Sequence, residues 1–161
     1  SVLEMIRLVL AKFPDEVVQD FAEMFLFPLV LRICNDESVE CRAISGEALK
    51  LLLGKVTGEF RSSAYTLSSN WLKNSKVTLK AAGFQLFHFL ILSVSSAGEN
   101  AESSQIIGNL LDQAKVLVSM KRSVAPRIFC GALQTLQTAF NQGRLFKQPS
   151  SSRKEAVAEK E

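Results

Sequence analysis

Apolar residues recur at intervals of three and four along almost the whole chain. Leu3, Ile6, Leu10 and Phe13 form one such series, and Phe84, Phe87, Leu90 and Ile91 form another. This spacing gathers side chains on one face of a helix, and no sustained two-residue alternation, the strand signal, accompanies it. The pattern predicts helices over 2–13, 15–34, 38–56, 59–73, 76–95, 102–120 and 123–142. The expected class is therefore all-α, with about seven helices.

Punctuation between these segments is brief. The connectors read NDES at 35–38, GKVTGE at 54–59, KNSK at 73–76 and SAGENAE at 96–102. Asp36 or Ser38, Ser75 and Ser123 are placed to cap helix starts, where a side-chain oxygen accepts from an otherwise unpaired backbone N–H. Pro126 falls in the first turn after Ser123, where a missing N–H costs nothing. Pro28, inside MFLFPLVLR, predicts a kink or restart of the second helix.

Short links favour antiparallel neighbours, and three of the helices can be laid over one another. VECRAISGEALKLLL from Val39, VTLKAAGFQLFHFLI from Val77 and VAPRIFCGALQTLQT from Val124 each begin on valine. Each has a basic residue three places on (Arg42, Lys80, Arg127), then a glycine (Gly46, Gly83, Gly131), then a bulky apolar residue (Leu51, Phe89, Leu136). The offsets, 38 residues between the first two valines and 47 between the next, bracket the roughly 40–47 of HEAT and armadillo units. In such arrays each helix pair leaves an apolar face that the next pair covers, and the glycines would admit close approach. The expected architecture is a HEAT/armadillo-like α-solenoid of antiparallel helix pairs over 1–145. Residues 146–161, rich in Ser and charge, are expected to be a disordered tail. On this reading Val39 enters the inter-repeat core, and Leu51→Ala should cost about 2–5 kcal/mol. The chain opens on Ser1 and is in helical pattern by Val2, which reads as a segment of something larger.

Composition adds what this chain lacks. Apolar residues at 47% and charged residues at 22% are globular values, and no apolar stretch reaches the roughly 18 residues of a membrane span. The three cysteines, Cys34, Cys41 and Cys130, form no CxxC pair, and His88 is the single histidine. That inventory fits a reducing compartment and inert buried thiols, and it does not assemble a familiar zinc site. No phosphate-binding glycine motif occurs, and His88, within LFHFLIL, reads as a satisfied core or groove residue. The expectation is a protein that is not an enzyme, with no catalytic residues, metal, cofactor or small-molecule substrate.

Charge is more informative. Residues 1–59 carry 6 Lys or Arg against 10 Asp or Glu, whereas residues 60–154 carry 12 against 3. A net −4 half followed by a net +9 half suggests an RNA or acidic surface as partner for the second. Lys80, Lys121, Arg122 and Arg127 are the candidate contacts. Arg42, with Asp36 and Glu40 nearby, is instead expected to tie adjacent units together. Trp71 is expected to pack between helices, and Phe84, Phe87 and Phe89 to be mostly buried, so that any RNA contact would rest on phosphates.

The stretch from Val9 to Val56 carries a resemblance. FP at 13–14, FLFPLVLRICND, NDESVECR with the apolar ALKLLL after it, and Trp71 followed by LKNSKVTLKAAGFQL resemble the C-terminal region of the large HEAT-repeat component of the small-subunit processome, the component-twenty family. The likeness covers residues 8–90 and is weak beyond about 100. It implies a nucleolar scaffold for protein subunits of a pre-ribosomal assembly, supporting pre-rRNA processing, with ribosomal or small nucleolar RNA within reach of the basic half. The tail, ending EAVAEKE, departs from that family's commonly very basic end. The alternative is a HEAT-type adaptor that binds proteins alone, in transport or on a phosphatase.

Overall fold

The computed structural model describes residues 1–93, 101–120 and 124–143, with the side chains of 101–103 left out. Among the described residues there are seven helices and no strand: α1 Val2–Lys12, α2 Asp15–Asn35, α3 Val39–Lys55, α4 Gly58–Leu72, α5 Val77–Ser93, α6 Ala101–Ser119 and α7 Pro126–Asn141. The all-α class and the helix order agree with the sequence reading to within a few residues. The expected tail, the cap at Ser123 and the last residues of the fifth predicted helix lie outside the described residues.

Local chemistry explains the boundaries. Ser38 Oγ accepts from the Cys41 N–H at 3.2 Å, and Thr57 Oγ1 accepts from the Phe60 N–H at 3.2 Å, so both caps satisfy a first-turn donor. Asp15 and Glu16 open α2, where carboxylates meet the positive end of the helix dipole. Ser75 is not the cap of α5, because the helix begins at Val77; Asn74 Oδ1 instead accepts from the Lys76 N–H at 2.9 Å in the turn before it. Pro126 occupies the first turn of α7, and Gly143, with φ of +69°, ends that helix in the left-handed conformation that glycine adopts without cost. The second helix does not restart at Pro28 but runs unbroken through it. Pro28 is exposed there, so water can satisfy the carbonyl four residues earlier that proline leaves unpaired.

Successive helices fold back on each other. Tyr65 meets Phe87 edge-on, Ser68 Oγ donates to the Gly83 carbonyl at 2.7 Å, and Leu72 lies against Gly83, a register that makes α4 and α5 antiparallel. The third, fifth and seventh helices then run side by side in one direction. Gly46 abuts Phe89 and Ser93 Oγ reaches the Lys50 carbonyl; further along, Gly131 abuts Phe84, His88 meets Thr138, and Gln142 Nε2 donates to the Ile91 carbonyl at 2.8 Å. The first helix lies beside α3, joined by the Arg7–Glu47 pair, and Phe27 of α2 meets Trp71 of α4 edge-on at 5.6 Å.

The core follows this arrangement. Leu49, Leu52 and Leu53 of α3, with Phe84, Phe87, Leu90 and Ile91 of α5, are fully enclosed. Leu51, Phe89 and Leu136, the expected core positions of the three similar helices, are only half-buried. Val39 is 71% exposed, and so does not enter an inter-repeat core. It is the first residue of α3, whereas Gly46 and Leu49, about two and three turns further along, are among the buried residues of that helix. The three glycines do mark close approaches: a Cβ on Gly46 or Gly131 would stand under 3.0 Å from α5, and one on Gly83 would stand 3.1 Å from Leu72 of α4.

Candidate partner-binding surface

Three of the basic residues close helix ends. Arg42 Nη1 donates to the carbonyls of Asp36 at 2.6 Å and Glu37 at 3.1 Å, Arg61 Nη1 to those of Val56 at 2.6 Å and Leu53 at 3.3 Å, and Lys55 Nζ to that of Phe13 at 2.6 Å. The last carbonyls of a helix lack intrahelical donors, and a cation there also meets the negative end of the dipole. Arg42 thus binds backbone of its own α2–α3 corner, rather than a carboxylate or a neighbouring unit. The Asp36 carboxylate is taken by Arg32 at 2.9 Å and by the Ser38 N–H at 3.0 Å, and these bonds, that from Arg32 foremost, hold its pKa below the usual carboxylate range.

The four candidate contacts fare differently. Lys121 and Arg122 lie outside the described residues. Arg127, at the start of α7, donates to Asn35 Oδ1 at 3.3 Å at the end of α2, so it is partly occupied. Lys80, half-buried on the first turn of α5, has no side-chain hydrogen-bond or ion-pair partner among the described residues. Arg127 and Lys80 therefore point to different neighbours: the first reaches α2, the second faces α4 and α6.

Lys80 lines a groove of about 600 Å³ between α4, α5 and α6. Lys73, at the end of α4, lies on the same groove and is likewise without a side-chain partner among the described residues. Leu72, Leu117 and the 57% exposed Val116 supply apolar lining, while Ser69, Asn109 and Gln113 supply hydroxyl and amide groups. Asp112 stands on the α6 wall, already paired with Lys115 at 3.0 Å. Sequence reading placed Lys73 where the helix over 59–73 meets the connector at 73–76, and did not single out the α6 residues. The legible signal was the run of Lys73, Lys76 and Lys80 with no acid among them.

Two titratable groups are set by their surroundings. His88 Nδ1 is 3.0 Å from Thr138 Oγ1, its ring meets Phe89 edge-on, and burial lowers its pKa, which favours the neutral ring. Burial pushes the Cys34 thiol up to about 11, so little nucleophilic thiolate is present at neutral pH. Cys41 is half-buried, but Cys130 is exposed on α7, contrary to the expectation of three buried thiols. Among the described residues no group of three or more His, Cys, Asp or Glu side chains is placed to hold a metal ion. No helix among them is long and apolar enough to cross a membrane.

Two helices also carry open apolar side chains. Val2, Met5, Leu8 and Val9 of α1 are 73%, 66%, 52% and 39% exposed, and Phe21, Met24 and Phe27 of α2 are also open.

No family model matches the chain. A segment of 92 residues is 29% identical to U3 small nucleolar RNA-associated protein 20 of Schizosaccharomyces pombe. The aligned region is 56% of this chain and 4% of that protein, so the chain corresponds to a small part of this relative's length.

Proposed function

We propose that this chain is a non-catalytic scaffold segment of a small-subunit processome component, acting in the nucleolus during pre-rRNA processing and small ribosomal subunit assembly. The observation that carries the reading is the similarity to a U3 small nucleolar RNA-associated protein over more than half of the chain. The packing supports a HEAT- or armadillo-like stack: α3, α5 and α7 lie side by side, with contact registers of 43 residues between Gly46 and Phe89 and 47 between Phe84 and Gly131. Such a stack works by presenting rigid surfaces, and the open apolar faces of α1 and α2 fit packing against protein neighbours within an assembly. The neutral, hydrogen-bonded His88 and the quenched Cys34 favour binding over catalysis.

The test is recovery of the RNA. The tagged chain is expressed in cells, purified at low salt, and U3 small nucleolar RNA is quantified against another abundant nuclear RNA. Selective enrichment is expected; equal recovery of both RNAs overturns the ribosomal assignment. Filter binding of purified chain to structured RNA over a salt series then separates direct contact, which is steeply salt-dependent, from association through proteins.

A further inference from the structure

We infer that the groove between α4, α5 and α6 is a docking site for an acidic, leucine-rich peptide segment of a protein partner. This site is distinct from the apolar face of α1 and α2, and it stands whether or not the chain works in ribosome assembly.

Charge complementarity selects the occupant. Lys73 and Lys80 face the groove without partners among the described residues, whereas Arg42, Lys55 and Arg61 are consumed at helix ends. The one carboxylate of the lining, Asp112, sits on the opposite wall and is neutralised by Lys115. A ligand carboxylate approaching from the α5 side therefore meets two uncompensated ammonium groups. On the α6 wall Val116 and Leu117 offer apolar contact, and a volume of about 600 Å³ accommodates several side chains. A peptide that alternates carboxylates with leucines satisfies both kinds of lining at once.

Nucleic acid fits less well. Single strands are held by stacking bases on exposed aromatic rings beside basic groups. The aromatic residue of the lining, Phe84, is fully buried, and the cations are lysines, which lack the planar fork that grips phosphate in two places.

The experiment uses the full chain and fluorescein-labelled probes followed by anisotropy: a short peptide of Glu with Leu at every third or fourth position, the same peptide with Gln for each Glu, and an oligouridine RNA. The acidic peptide is expected to bind, with the Gln peptide and the RNA at least about tenfold weaker at physiological salt. Lys73→Glu and Lys80→Glu should each weaken peptide binding severalfold, and Val116→Glu likewise, while Lys76→Glu, beside the groove but not lining it, should leave it unchanged. Because Lys73 is exposed, its substitution tests the site even if Lys80→Glu perturbs folding. Equal binding of the Glu and Gln peptides, or wild-type affinity in Lys73→Glu, overturns the proposal. So does RNA binding as tight as the peptide's and lost on the same substitutions, which would make the groove a nucleic-acid site.

Discussion

A Cβ atom on Gly131 would stand 2.9 Å from Phe84 Cβ, so α7 crosses α5 at a separation that excludes even a methyl group. The atom it would meet is next to the backbone, and it cannot swing away as a side-chain tip can. Gly131→Ala gains up to about 1 kcal/mol of helix propensity but overpacks the seam at a cost of about 1–3 kcal/mol. The expected result is a lower melting temperature. Gly108, in α6, has nothing within 4 Å of an added Cβ, so Gly108→Ala should raise the melting temperature by up to a few degrees. Gly46→Ala should fall between, because its neighbour is the ring tip of the half-buried Phe89. Thermal melts followed by circular dichroism rank the three; a rise for Gly131→Ala would mean the two helices do not meet there.

The neighbouring leucines of α3 separate the buried seam from its edge. Leu52 is fully enclosed and Leu51 is half-buried. Leu52→Ala should therefore cost about 2–5 kcal/mol, and Leu51→Ala clearly less. Urea denaturation measures both, and the reverse order would place the wrong face of α3 inward.

Arginine at the helix ends predicts a loss with no change of core. Replacing Arg61 by Gln removes donors to the Val56 and Leu53 carbonyls, and replacing Arg42 by Gln removes those to Asp36 and Glu37. Each bond from a charged group to a half-buried carbonyl is worth about 1.5–3 kcal/mol, less where water can substitute. A loss of about 1–2 kcal/mol is expected for each variant, against a change within about 0.5 kcal/mol for the exposed Lys50→Gln. If all three variants melt alike, these arginines are solvated charges and would belong to a binding surface after all.

Much of this fold was legible because its periodic signal is strong. The spacing of Phe84, Phe87, Leu90 and Ile91 gave both a helix and its buried face, and all four are enclosed. The shared glycines of the three similar helices correctly marked close approaches. Single positions were harder. Val39 was expected in the inter-repeat core, yet it is the first residue of α3 and 71% exposed, and Val77, its counterpart at the start of α5, is 46% exposed. Arg42 looked like a carboxylate partner because acids are adjacent in sequence, but the unpaired carbonyls at the end of α2 lie within reach and carbonyls leave no mark in the sequence. The groove was invisible for a similar reason: Lys73, Lys80 and Asp112 come together only through the packing of α4 and α5 on α6.

His88 gives the chain a built-in pH response. It is the single histidine, so no other imidazole titrates near neutrality. Burial lowers its pKa in the folded state below the ordinary histidine value of 6.5, and its Nδ1 is engaged with Thr138. A depressed histidine pKa means that the unfolded chain binds more protons than the folded chain between the two values. Stability is then fully present above the unfolded pKa of about 6.5, and falls as pH drops below it, until the folded pKa is passed. Carboxylates held low, such as Asp36, add their own loss only at more acidic pH, so the two effects are separable. Melting temperatures measured between neutrality and mild acid should decline in the wild type. In His88→Gln, which keeps a polar group near Thr138 but cannot titrate, that decline should vanish. An identical decline in both proteins would show that the imidazole is as well solvated in the folded chain as in the unfolded one, contrary to its place between Thr138 and Phe89.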